Sequence, residues 1–115
     1  MLSINSSSKY YLYRQPTDMR YGIYSLSGLV RNELGCDPLN GDVFIFIGKR
    51  RNQVRLLQWE RDGFAMYIKK LEQGTFERPT GDQSLITSHQ LTLLMEGVML
   101  KSVRLRKRYT PLKTA

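Results

Sequence analysis

One cysteine and one histidine stand in the 115 residues, and each scarcity removes a class of chemistry. A lone thiol, Cys36, has no partner for an internal disulfide, which fits a reducing compartment. Together Cys36 and His89 fall short of the four ligands of a structural zinc site. Neither a Gly-x-Gly-x-x-Gly pattern nor a P-loop occurs, so no cofactor is expected. No apolar run approaches the roughly eighteen residues of a transmembrane helix, and no membrane partner is expected. The opening MLSINSSSKYYLYR lacks the basic start and apolar core of a secretory leader, so the expected location is cytoplasmic.

Negative charge is also short. Ten Asp and Glu face eighteen Lys and Arg, leaving +8 and a pI near 9.9. That balance points to a polyanionic partner, nucleic acid above all. Cleavage of DNA by metal ions needs carboxylates converging on one site. Most of the ten carboxylates have ordinary local roles: Asp18 stands where a helix cap belongs, Asp37 and Asp42 flank a turn, and Asp62 makes one. A catalytic metal site is therefore not expected. Nor is a nucleophile, since Cys36 lies beside Asp37, whose charge raises a thiol pKa, and His89 reads as a surface residue at a helix start.

With 41% hydrophobic and 24% charged residues the chain has the composition of one ordinary globular domain. We read residues 1–8 as a flexible N-terminus, 9–100 as the domain and 101–115 as a basic C-terminal tail. Aromatic YYLYR predicts a strand at 10–14. Ile23, Leu26, Val30 and Leu34 form one helical stripe, predicting a helix over 19–34 that begins at Asp18 and ends at Gly35. Strands follow at 43–47, where VFIFI has no polar interruption and expects cover on both faces, and at 54–60 and 64–71. Their short connections make an antiparallel meander. A short strand near 84–87 and a helix over 88–97 complete the order, the latter with Thr87 and Gln90 as a capping box. The fold class is α+β: a small antiparallel sheet with one main N-terminal helix and a short C-terminal helix, both expected on one face.

These segments resemble a known family. PTDMRYGIYSLSGLV at 16–30, DPLNGDVFIFIGKRRNQVRLLQWERDGFAMYIKKLEQGTF at 37–76 and ITSHQLTLLMEGV at 86–98 are similar, in order and spacing, to the accessory protein TnpB from the second open reading frame of insertion-sequence family 66. The resemblance covers roughly residues 10–100. It implies an accessory role in transposition of a mobile element, beside a separate transposase and other accessory proteins, and it supplies no catalytic residues. Two positions depart from the family pattern: Tyr21 stands where a basic residue commonly follows Asp-Met-Arg, and Arg78 where a tryptophan often precedes the proline.

The residues themselves nominate a DNA contact. Lys49, Arg50 and Arg51 are consecutive at a predicted hairpin tip, and Arg55 opens the next strand. Cations there reach phosphates and release counterions, although basic hairpin tips also serve to protect sheet edges. Arg104, Arg106, Lys107 and Arg108 form a second basic run. Of Lys69 and Lys70 only one shares the face of the loop. Arg20 reads as a local ion pair with Asp18, and Trp59 and Tyr67 as core aromatics. The expected function is a non-catalytic accessory factor that binds DNA, at element ends or as non-specific duplex. The alternative is an adaptor contacting only the transposase machinery. Oligomeric state is not legible.

Overall fold

A computed structural model of the chain describes residues 7–96, 98–99 and 104–105. The expected flexible start lies outside them through residue 6. The expected tail lies outside them except at residues 104–105.

Five strands form the main sheet: β1 (Tyr10–Leu12), β2 (Val43–Ile47), β3 (Gln53–Trp59), β4 (Phe64–Lys70) and β5 (Leu85–Ile86), in the order β4-β3-β2-β1-β5. The meander holds, with β2 to β4 paired antiparallel in continuous register from Val43↔Gln58 to Gln53↔Lys70. β1 is the exception to an all-antiparallel sheet. It runs parallel to β2, with Tyr10 opposite Val43, because helix α1 (Ile23–Asn32) is the crossover between them. A second helix, α2 (Ser88–Glu96), follows β5. A separate ribbon pairs β6 (Val98–Met99) with β7 (Arg104–Leu105), so residue 104 lies in a strand rather than a tail.

The two helices cover opposite faces, not one. Leu26 and Val30 of α1 pack with Phe44, Phe46 and Leu57. Leu91 and Leu94 of α2 pack with Val43, Ile45, Ile47, Val54 and Leu56 on the other side, joined by Leu71 and Phe76. The unbroken apolar run of β2 requires this, since every one of its five side chains is buried and alternate residues face opposite ways. Element order alone was a poor guide to the layers.

The first helix is also shorter than the stripe suggested. The Asp18 carboxylate accepts from the backbone N–H of Arg20 at 2.9 Å and from the Arg20 guanidinium, so it closes a turn instead of capping a helix. Tyr21 N–H returns to the Asp18 carbonyl at 3.0 Å, and extended Gly22 becomes the N-cap without a side-chain acceptor. At the other end Glu33 and Leu34 both donate to the Leu29 carbonyl, and Gly35, at φ +64°, turns the chain away as expected. The capping box at α2 is present: Gln90 N–H donates to Thr87 Oγ1 at 3.0 Å and Thr87 N–H to Gln90 Oε1 at 2.9 Å.

Among the strand aromatics, Trp59 is half-buried edge-on to Phe64, with ring centroids 5.1 Å apart. Tyr67 is not core. It is 46% exposed on β4, an edge strand with no neighbour beyond it among the described strands.

Candidate nucleic-acid interface

The β2–β3 connection is built to project cations. Gly48 N–H donates to the Gln53 carbonyl at 3.0 Å and Arg51 N–H to the Gly48 carbonyl at 2.9 Å, closing a tight tip. Arg51 takes φ +61°, a left-handed conformation uncommon outside glycine. Lys49, Arg50 and Arg51 are all exposed on it.

Beside the tip runs the strap 16–20, which joins β1 to α1. Thr17 N–H donates to the Ile47 carbonyl at 3.0 Å, so the strap prolongs β1 along β2. Met19 lies over Gly48 so closely that a Cβ there would sit 2.8 Å from Met19 Cγ. Strap and tip enclose a cleft of about 620 Å³, into which Lys49, Arg50, Arg20 and Lys70 bring positive charge and only Asp18 brings negative. The Thr17 hydroxyl, on the cleft wall, is buried and has no hydrogen-bond partner among the described residues.

Arg20 and Asp18 are the local pair expected from the sequence, 2.7 Å apart and well exposed. The hydrogen bonds from the Arg20 side chain, then its backbone, hold the Asp18 carboxyl at about 2, below its ordinary 3.8. Lys69 and Lys70 part company. Lys70 lines the cleft, while Lys69 Nζ donates to the Met95 carbonyl at 3.3 Å near the end of α2.

Arg55 has a different task. Its Nη1 donates to the Tyr21 carbonyl at 2.6 Å and its Nη2 to that of Met19, which fastens the strap to β3. A guanidinium so committed is a strut for the cleft wall. Arg51 leans toward Glu77 at 4.0 Å. Arg104 belongs to β7, and Arg106, Lys107 and Arg108 lie outside the described residues.

Strand direction sorts the charges between the two ends of the sheet. The end that carries the β2–β3 tip holds Arg20, Lys49, Arg50, Arg51 and Lys70, with Arg14 and Arg78 near it. The opposite end holds Glu60 and Asp62 with Arg61 in the β3–β4 turn, and Asp37 and Asp42 with Lys9 ahead of β2. Among the described residues cations outnumber acids at the tip end, even with Asp18, Glu77 and Asp82 there, and acids outnumber cations at the other. Arg14 escaped the sequence reading, and Lys70 was named there only as one of two lysines of which one shares the loop's face. Lys70 needed the register to be placed, and Arg14 looked like an ordinary end-of-strand residue.

The candidates for other chemistry sit where they do nothing similar. His89 is exposed in the first turn of α2. The Cys36 thiol is half-buried and pushed up, first by burial and then by Asp42, a different carboxylate from the Asp37 the sequence pointed to. Among the described residues no group of three His, Cys, Asp or Glu side chains is placed to hold a metal ion. No described helix is long and apolar enough to cross a membrane.

A family model described as IS66 Orf2 like protein matches residues 8–105. The chain belongs to this family. Membership carries a transposition-associated accessory role, in a family not known as catalytic. Two relatives come from Sinorhizobium fredii. The uncharacterized protein y4jC is 34% identical over 103 residues, covering 88% of each chain. The uncharacterized protein y4hO is 29% identical over 100 residues, covering 85% of this chain and 87% of that one. No solved structure matches the chain.

Proposed function

We propose that this IS66 Orf2-like chain is a non-catalytic accessory factor that engages DNA with the tip end of its sheet and thereby assists a separate transposase. The supporting observation is the cationic cleft between strap and tip, where Lys49, Arg50 and Lys70 stand with one neighbouring carboxylate. Side chains that converge from a projecting loop and an adjacent strand end suit a phosphate backbone, whose counterions they displace. Arg51 joins them at the tip, and Arg104, Arg106, Lys107 and Arg108, the second basic run of the sequence, are assigned the same role. Arg55 acts on the ligand only by holding the strap.

The test is duplex binding, to element ends and to random sequence, at several salt concentrations. The wild-type chain is expected to show a steep fall in affinity with salt. The Lys49→Ala, Arg50→Ala, Lys70→Ala combination lowers the slope by about 0.9 per lost phosphate contact. Absence of binding at low salt would transfer the function to the adaptor alternative, in which the chain meets only the transposase machinery.

A further inference from the structure

Arg78 presents an unsolved problem in the fold. Its Nε and Nη2 are both buried, and neither meets a hydrogen-bond acceptor among the described residues. A guanidinium does not shed its proton to escape burial, so two charged donors are left without partners. Leaving them so is costly, more than for neutral groups. Its surroundings make matters worse. Burial lowers the Arg78 pKa, and the charges of Arg51 and Arg14 lower it further. The nearby carboxylates serve the neighbours, Asp82 acting on Arg14 and Glu77 on Arg51. Arg14 is anchored to the Pro79 and Gln83 carbonyls, and Arg51 reaches Glu77 only at 4.0 Å. Residues 1–6 and 97–115 contain no Asp or Glu to supply one.

We infer that Arg78, with Arg51 and Arg14 beside it, forms a binding site for a phosphate group. Nε and Nη2 make up one edge of the guanidinium, a two-pronged donor that matches two oxygens of a phosphate. A carboxylate has the same two oxygens. The positive charges of Arg51 and Arg14 act on Arg78, with Glu77 beside Arg51 and Asp82 beside Arg14. They favour the more highly charged inorganic phosphate or monoester, while a singly charged backbone diester is held by the two-pronged edge itself. Arg78 as a residue is only partly buried while its Nε and Nη2 are closed to solvent, so an occupant is met by turning that edge outward. Arg51 connects this site to the tip, being next in sequence to Arg50. A backbone phosphate of the same DNA is therefore the occupant, a step that rests on the proposed function. The phosphate site itself does not.

Two titrations on the full chain test it. In the first, thermal stability is followed against sodium phosphate, with chloride adjusted to constant ionic strength. Wild type is expected to gain stability along a saturating curve, and Arg78→Met, which keeps the side-chain stem, is expected to lose that response while staying folded by circular dichroism. Arg78→Lys, with one point charge in place of the two-pronged edge, serves as a second variant and retains at most a small part of the response. In the second, duplex binding by Arg78→Met is expected to show a salt slope shallower by about one, uniformly across sequences. A phosphate response that vanishes in Arg78→Met with an unchanged DNA slope keeps the site and assigns it to a free phosphate compound. No saturating response in wild type, an equal response in Arg78→Met, or a preference for acetate over phosphate would each overturn it. Failure of the proposed function is distinguishable, because it removes duplex binding and leaves the first titration intact.

Discussion

Arg55 Nη1 donates to the carbonyl of Tyr21 at 2.6 Å, a bond that joins the third residue of β3 to a segment thirty-four positions earlier in the chain. With the companion bond from Nη2 to Met19, one side chain ties down both the strap and the entry to α1. Arg55→Met retains the stem and removes the donors, leaving two carbonyls to find water or go unpaired. The expected cost is about 1–3 kcal/mol by urea unfolding. Amide exchange should quicken at Tyr21, whose N–H closes the 18–21 turn. Because Arg55 faces the protein, the salt slope of duplex binding should stay within error of wild type. An unchanged stability together with a shallower slope would make Arg55 a DNA contact after all.

The Asp18–Arg20 pair gives an acid-side prediction. Asp18 titrates at about 2 in the folded chain against an ordinary 3.8. A carboxyl depressed on folding stabilises above its unfolded pKa, and that contribution is lost as pH falls toward the folded value. Stability should therefore decline between pH 3.8 and about 2 on this account. Arg20→Gln should return the Asp18 midpoint toward 3.8, read by the side-chain carboxyl resonance in a pH titration. The pair is exposed, so the stability effect at neutral pH is expected to be small. A midpoint that stays low in Arg20→Gln would show that the N–H of residue 20 alone holds the carboxylate.

Periodicity and turn chemistry were enough to locate the five strands of the main sheet, both helices and the α2 cap, since each is a local property, but not the β6–β7 ribbon. VFIFI announced burial on both faces, and it is buried on both. The sequence failed where a decision depended on a distant partner. Asp18 has the composition of a helix cap, but the neighbouring Arg20 captured its carboxylate and moved the helix start to Ile23. The parallel β1–β2 pairing makes α1 a crossover on one face, which short strand signals do not encode, and α2 takes the other face through Leu91 and Leu94. In the site, Lys49, Arg50 and Arg51 were visible as a charge run. Arg55 looked equivalent to them until its carbonyl partners were known. Thr17 carried no signal at all, because nothing in a threonine's sequence neighbours says that its hydroxyl is buried beside a cleft.

Lys69 and Lys70 are adjacent and chemically identical, yet strand alternation sends one to α2 and the other to the cleft. Their alanine variants should separate. Lys70→Ala is expected to lower the salt slope of duplex binding by about one while leaving the midpoint of unfolding almost unmoved. Lys69→Ala removes a cation from the C-terminal carbonyls of α2, where positive charge is favourable, and should cost about 0.3–1 kcal/mol with no change in slope. Equal effects of the two on binding would mean that the whole edge of β4, not the cleft, carries the contact.

Gly48 is the point at which tip and strap touch, and its lack of a side chain is what admits Met19. A methyl group there would meet Met19 Cγ at 2.8 Å, inside any tolerable contact. The clash involves an atom near the backbone end of Met19, and the Met19 carbonyl is itself fastened by Arg55, so the strap has little freedom to retreat. Gly48→Ala should therefore destabilise the fold by about 1–3 kcal/mol through overpacking. Met19→Ala removes the opposing atoms, and if the two residues meet as described the double variant will lose less than the sum of the singles. That coupling, measured by urea unfolding of all four proteins, is the decisive quantity. Strict additivity would mean that Met19 does not cover Gly48, and the cleft between strap and tip would lose its floor.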